Sequence, residues 1–192
     1  MPEPALLEQK KSLRRTVRAA AADFYPRHGA ASSREIFTRL ISLPEYQACR
    51  TLFCFVGTGH EADTFLLLRH ALQHGRRVAV PLCTGPGRME ARLIPDLDAL
   101  SARGAYGIPE PAPDAPRIAL QEIDFAVVPC LCCDRKGHRL GHGGGYYDRC
   151  LEHALFPWTV VCPEALLVPA VPVEPWDVTA PIVVTDHGVY RT

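Results

Sequence analysis

Thr51-Leu-Phe-Cys-Phe-Val56, followed at once by Gly57, is an unbroken apolar run rich in strand-forming residues. A strand with one wet face alternates apolar and polar residues, so a continuous run predicts a strand covered on both faces. Ile123-Asp-Phe-Ala-Val-Val128 has much the same character and runs into Pro129. Arg77-Val-Ala-Val80, ended by Pro81, is another candidate, as are residues 88–94, 158–162 and 182–185. After the first strand, Asp63 or Thr64 is positioned to cap a helix through Leu66, Leu67, His70 and Ala71, which Gly75 stops. Strands alternating with helices imply an α/β fold. The expected architecture is an open, mostly parallel sheet with helices on both faces, a Rossmann-like three-layer arrangement.

Upstream, residues 5–22 read as a helix carrying Leu6, Leu13 and Val17 at near-helical spacing. Pro26 and Gly29 are expected to close it. Ser32 or Ser33 would cap a second helix with Ile36, Phe37, Leu40 and Ile41 as its stripe. Residues 104–118, rich in Gly and Pro, read as a surface loop. Neither half around that loop has a persuasive core of its own, so residues 1–192 are expected to form a single domain.

With 21 basic and 21 acidic residues the formal charge is zero. A nucleic-acid binder usually carries a basic excess, so no nucleic-acid partner is expected. Zero net charge also gives no long-range steering, and any anion site must therefore be local. The start shows no export signal and no apolar run approaches 18 residues. A cytoplasmic protein with no membrane partner is the expectation, and a monomer. The eight cysteines sit mostly in apolar runs and read as buried, reduced thiols.

The chemistry concentrates in Arg139-Leu-Gly-His-Gly-Gly-Gly-Tyr-Tyr-Asp148, just before a helix expected from about residue 145 to 153. Gly141, Gly143, Gly144 and Gly145 allow sharp turns and close approach of a ligand to the backbone. Amides at a helix start favour an anion such as phosphate, and the Arg139 fork could bridge its oxygens. Asp148 offers a hard oxygen suited to the magnesium of a nucleotide triphosphate. A glycine-rich turn with a capping aspartate would give the same pattern. No Gly-Lys-Ser/Thr follows, so this is not the common phosphate loop, and it lies too late for a dinucleotide fingerprint.

Taken whole, Gly137-His-Arg-Leu-Gly-His-Gly-Gly-Gly-Tyr-Tyr-Asp-Arg149 resembles the signature of 5-formyltetrahydrofolate cyclo-ligases, G-x-R-L-G-x-G-x-G-Y-Y-D. Lys10-Lys-Ser-Leu-Arg14 resembles the family's amino-terminal K-x-x-x-R helix. Glu61 matches its substrate-contacting glutamate, and Pro172 to Asp177 its closing P-x-x-x-x-D segment. The resemblance implies ATP- and Mg2+-dependent conversion of 5-formyltetrahydrofolate to 5,10-methenyltetrahydrofolate. In that chemistry the formyl oxygen is phosphorylated, N10 attacks the activated carbon, and phosphate leaves. The implied ATP-binding residues are Lys10, Arg14, Arg139, Gly141, Gly143, Gly145 and Tyr147. Val56, Glu61, His142 and Tyr146 would hold the folate, and Asp148 with Asp177 the magnesium. Lys10 and Arg14 are four apart and share a helix face, though a solvated basic face would look the same.

Two segments depart from the family. Pro129-Cys-Leu-Cys-Cys-Asp134 stands where P-G-x-A/G-F-D is usual, and Val161-Cys-Pro-Glu-Ala-Leu-Leu167 lacks a usual glutamine. A non-catalytic nucleotide- or folate-binding relative is the alternative these departures leave. Cys130, Cys132 and Cys133, with His138 and His142, suggest zinc, but their spacing and the alternation of side chains along a strand argue against it.

Overall fold

The computed structural model describes residues 4–101, 104, 107–152 and 154–192. In chain order the helices are α1 (Pro4–Ser42), α2 (Pro44–Ala48), α3 (Phe65–Gln73) and α4 (Tyr146–Leu151). The strands are β1 (Thr51–Cys54), β2 (Arg77–Gly85), β3 (Arg88–Ile94), β4 (Leu100–Ser101), β5 (Glu110–Pro111) and β6 (Arg117–Ile118), then β7 (Phe125–Val128), β8 (Cys132–Cys133), β9 (Arg139–Leu140), β10 (Trp158–Val161), β11 (Ile182–Val184) and β12 (Val189–Arg191).

Eight strands form the main sheet, in the order β12-β11-β10-β7-β1-β2-β3-β6. The middle five, β11-β10-β7-β1-β2, are mutually parallel. β12, β3 and β6 are antiparallel additions at the two edges. β1, β7 and β10 are buried along their whole length, the first two as their apolar runs require. Alternate residues feed two cores. Leu52, Cys54, Val78 and Val127 face α3 and the second half of α1, while Phe53, Ala79, Ala126 and Val128 face the side where Leu151 of α4 and Phe156 pack.

The chain steps from β1 to β2 in one direction, then returns to build β7, β10 and β11 in the other. The direction of winding therefore reverses between β1 and β7. In open α/β sheets, such a reversal opens a crevice at the carboxyl ends of the strands, where ligands bind.

Several local expectations are corrected. α1 does not stop at Pro26 but runs through it for 39 residues. A proline inside a helix costs roughly 3 kcal/mol, and here burial on both sides offsets it: Val17 and Ala21 before, Ile36 and Leu40 after. Ser33 is no helix cap. It is buried, and its Oγ accepts a hydrogen bond from the Asp63 amide at 2.9 Å, tying α1 to the loop after β1. β2 continues past Pro81 because its pairing with β1 has already ended at Ala79, so the proline's missing N–H breaks no ladder there. The Gly- and Pro-rich stretch contains β5 and β6, and β6 closes the sheet edge against β3. α4 ends at Leu151, and His153, its expected end, lies outside the described residues. The expected cap of α3 takes another form. The Thr64 hydroxyl donates to the Phe55 carbonyl (2.8 Å) and accepts from the Gly57 amide (2.9 Å), fixing the exit of β1, while Asp63 accepts from the Phe65 amide.

Asp134 holds the segment after β7. Only 1 % exposed, it accepts from the amides of Lys136, His138 and Val171 and from the His138 ring, all at 2.9–3.1 Å. Burial raises its pKa, but the Val171 amide and the His138 contacts outweigh that and hold it below the ordinary aspartate value. A carboxyl with a lowered folded pKa stabilises above its unfolded value, about 3.9, and loses that contribution as pH falls through the folded one. Asp134→Ala leaves several buried donors without an acceptor and should cost about 3–5 kcal/mol. Thermal unfolding near neutral pH should show the loss, and the gap to wild type should narrow in strong acid.

Candidate functional site

A cavity of ≈ 1210 Å³ opens at the winding reversal. Phe55, Val56, Thr58 and Glu61 line it from the exit of β1, Pro129 and Leu131 from the exit of β7, and Pro81 and Cys83 from β2. α1 crosses its mouth and presents Leu7, Lys10, Arg14 and Arg18 along one face, the three- and four-residue spacing of a helical stripe. The loop from Arg139 to Asp148 closes the remaining side. All thirteen residues singled out from the sequence therefore line one cavity.

Lys10 is almost fully buried. Its Nζ donates to Glu174 Oε2 at 2.8 Å and to Asp177 Oδ2 at 2.5 Å. Burial opposes its charge, but the Asp177 and Glu174 carboxylates outweigh that and raise its pKa above the ordinary lysine value. Lys10 is thus not part of a solvated basic face but an anchor between α1 and the closing segment. Arg14, one turn on, donates from Nε to the Gly141 carbonyl at 2.9 Å and so holds the glycine loop. Arg139, with a side chain only 4 % exposed, donates to Asp148 Oδ1 at 2.5 Å. Its Nε is buried without a partner, which leaves a donor of the guanidinium uncommitted beside the cavity.

The glycine loop is built from residues that need their freedom. Gly143 (φ 105°) and Gly145 (φ 65°) occupy backbone conformations that side chains rarely adopt, and Gly145 leads directly into α4. α4 has only six residues, so its dipole is a small contribution and the cations around the cavity are the stronger anion attractors. Asp148 sits in the first turn of α4, whose N-cap is Gly145, and among the described residues its carboxylate bonds Arg139 rather than an amide of that turn. Asp148 and Asp177 answer to different bases, Arg139 and Lys10, and no hydrogen bond joins them.

Glu61 and His142, 81 residues apart in sequence, meet at 3.4 Å across the cavity, and Glu61 also accepts from the Thr58 amide. Val56 is buried at the strand exit. Tyr146 turns toward both the cavity and a shallower neighbouring groove. Tyr147 packs against both cores while reaching the cavity wall, and burial holds its phenol protonated.

Two participants went unassigned in the sequence. Glu174 supplies the second carboxylate on Lys10, and its Oε1 is buried and unpartnered. It lay within the recognised Pro172–Asp177 segment, where only the terminal aspartate drew notice. Arg149 clamps the glycine loop to the β2–β3 turn, donating to Gly144 O at 2.6 Å and Gly87 O at 2.8 Å. It is the last residue of the signature string, but nothing in a local motif marks a partner 62 residues away.

The altered segments leave the cavity intact. Pro129 and Leu131 line it, but the cysteines between and after them do not, and no described residue from 160 to 167 reaches it. Neither histidine of the zinc hypothesis joins the thiols, because His138 bonds Asp134 and His142 bonds Glu61.

The residues expected to hold magnesium carry donor atoms of a type that fits it. Asp148 is partly exposed at the cavity, and Glu174 and Asp177 share one ammonium, so the closing segment carries surplus carboxylate charge. Carboxylate oxygens are what a hard divalent ion takes.

Similarity to known proteins converges on one family. The profile of the 5-formyltetrahydrofolate cyclo-ligase family matches residues 7–186. A 5-formyltetrahydrofolate cyclo-ligase of Mycolicibacterium smegmatis is 34 % identical over 146 residues, covering 71 % of this chain and 73 % of its own. That of Escherichia coli K12 is 28 % identical over 173 residues, 86 % of this chain and 94 % of its own. The solved structure of Aquifex aeolicus 5,10-methenyltetrahydrofolate synthetase superposes with a TM-score of 0.84 at 26 % identity, covering 95 % of this chain and 92 % of the other. With its signature loop, its α1 cations and its closing acidic segment gathered on one cavity, the chain belongs to the 5-formyltetrahydrofolate cyclo-ligase family.

Proposed function

We propose that this chain uses ATP to close the ring of 5-formyltetrahydrofolate, giving 5,10-methenyltetrahydrofolate, ADP and phosphate. The observation that carries this reading is a single cavity lined by both kinds of group. The cations of α1 and β9 meet the glycine loop there, which we take as the phosphate end, and His142 of the same loop meets Glu61 near the apolar exit of β1, which we take as the folate end. An amide oxygen leaves poorly and its phosphate ester leaves well. The protein therefore has mainly to bring two anionic reactants into line and offset their charge.

Arg14 and Arg139 would hold the triphosphate, with Lys10 setting α1 at the right height above it. The backbone of Gly141, Gly143 and Gly145 would admit the phosphates closely, and Tyr147 would wall that end. Glu61, buttressed by His142, would fix the pterin and formyl group against Val56 and Tyr146, flat and apolar surfaces suited to a ring. A magnesium ion held by Asp148 and Asp177 would offset charge on the phosphate oxygens. Because the altered cysteine segments leave the cavity wall intact, the enzyme reading is favoured over a binding-only relative.

Absorbance of methenyltetrahydrofolate should rise only with 5-formyltetrahydrofolate, ATP and Mg2+ together. ATP bound without product at high protein concentration would leave the binding-only reading. Glu61→Gln keeps shape but removes the charge facing His142. It should raise the folate KM about 10-fold or more, a loss of about 1.4 kcal/mol, with the ATP KM little changed. Equal effects on both substrates would remove Glu61 from the folate end.

A further inference from the structure

Three sulfur atoms converge behind the cavity wall, and the ring closure uses none of them. Cys130 follows β7, Cys133 belongs to β8, and Cys162 follows β10. Since β7 and β10 are parallel neighbours, the segments leaving their carboxyl ends emerge side by side. The three Sγ atoms all lie within 4.8 Å of one another. Their residues are 9 %, 0 % and 1 % exposed. Between the first two, Leu131 and Cys132 turn away to pack with Val17, Leu140 and Val171, which brings Cys133 back onto the side of Cys130. Cys130 and Cys133 therefore have the two-residue gap that paired metal thiolates use. Cys132, the third cysteine nearest in sequence, lies outside this cluster. The structure replaces Cys132 with the distant Cys162.

We propose that Cys130, Cys133 and Cys162 form a three-thiolate site for a thiophilic d10 cation, Zn2+ or Cu+. A cation about 2.3 Å from each sulfur holds the sulfurs roughly 3.8–4.0 Å apart. The three start inside 4.8 Å, so each separation has at most about 1 Å to close. A disulfide would need one pair to close to about 2.05 Å and would strand the third thiol. Soft sulfur selects Zn2+ or Cu+ over hard Mg2+, so this site does not compete with the cavity carboxylates for the same ion. As each sulfur–metal bond forms, a thiol proton passes to solvent. No electron moves, and no oxidant is needed. Among the described residues no histidine or carboxylate joins the three thiols. Three-coordinate Cu+ would be complete there. Zn2+ would take a fourth donor, such as water or the Val161 carbonyl that now accepts the Cys130 S–H at 3.4 Å. A bound ion would cross-link the exits of β7 and β10, directly behind Pro129 and Leu131 of the cavity wall.

The test titrates the reduced, metal-free full chain anaerobically, with Zn2+ alone in one arm and chelator-buffered Cu+ alone in the other. One equivalent should bind in at least one arm with release of thiol protons, and the arm that binds names the ion. Cys162→Ser and Cys133→Ala should each lose more than the roughly 100-fold in affinity that a supporting contact costs, and Cys49→Ala should lose nothing. Circular dichroism establishes that each variant is folded. Independently of folding in the variants, the bound ion should slow alkylation of Cys130, Cys133 and Cys162 of wild-type protein in a denaturant concentration at which the metal-free chain exposes these buried thiols. No stoichiometric uptake in either arm overturns the site, as does protection mapped to other cysteines. A folded Cys162→Ser that binds as tightly as wild type overturns it too.

Discussion

Lys10→Met is expected to lose about 3–5 kcal/mol of stability, a larger effect than any other single change at the cavity should have. The ammonium sits between two carboxylates that are themselves mostly buried, Glu174 and Asp177. Methionine fills a similar volume but leaves two negative charges facing each other with no cation between them. Breaking a buried pair on one side costs far more than the pair is worth intact, because the partner's desolvation is no longer compensated. Glu174→Gln in the same chain removes one of the stranded charges, so the double variant should recover part of the loss. Full additivity of the two changes would show that they do not share this contact. The pH dependence follows from the raised lysine pKa. A group with a raised folded pKa contributes fully below its unfolded value, about 10.4, and loses that contribution as pH rises through the folded value. Wild type should therefore lose the Lys10 contribution only in strong alkali, and its advantage over Lys10→Met should be flat from neutral pH to about 10. Denaturant unfolding at several pH values measures it.

The order of events in the sequence was easier to read than the joins between them. Apolar runs at β1 and β7 mark strands covered on both faces, β10 and β11 read only as strand candidates, and the alternation of strands with helical segments implies the parallel sheet. Periodicity and local breakers misled at Pro26 and Pro81, because each has a tertiary reason to be tolerated. α1 is held by burial on both sides of its proline, and β2 has lost β1, though not β3, as a partner by the time its proline arrives. The signature loop identified the cavity's residues, yet not their partners. That Lys10 meets Glu174 across 164 residues, or that Arg149 meets Gly87 across 62, depends on the winding of the sheet and has no local signal. The thiols teach the same lesson. Cys130 and Cys133 gain a third member only because β10 lies beside β7, and a sequence cannot show that before its strand order is known.

Asp148→Asn should lower turnover strongly while leaving the chain folded, and the manner of the loss separates two roles for this carboxylate. Among the described residues its carboxylate bonds Arg139 and no amide of the first turn of α4, which argues against a capping role. What remains is an ion pair that aims Arg139, or a ligand for magnesium, or both. The 2.5 Å contact to Arg139 Nη2 favours aiming at rest, and the partial exposure of Asp148 leaves its other oxygen able to face a metal. Asparagine retains an oxygen that can accept from the guanidinium but loses the charge. If aiming is all Asp148 does, the ATP KM should rise at saturating Mg2+ and the Mg2+ dependence should stay put. If Asp148 holds the ion, apparent Mg2+ affinity should fall about 10- to 100-fold, equivalent to roughly 1.4–2.8 kcal/mol. Asp177→Asn should shift the Mg2+ dependence in the same direction, with some loss of stability through Lys10. Arg139→Lys is the companion change. Lysine keeps the charge but not the planar fork, so it can serve Asp148 or a phosphate, not both. Its ATP KM should rise by at least about 10-fold, with the folate KM much less affected, since Glu61 and His142 hold that end. Separate titrations of ATP, Mg2+ and 5-formyltetrahydrofolate against all three variants distinguish the cases. An Asp148→Asn protein with unchanged Mg2+ dependence would strike that residue from the metal site and leave it as the strut behind Arg139.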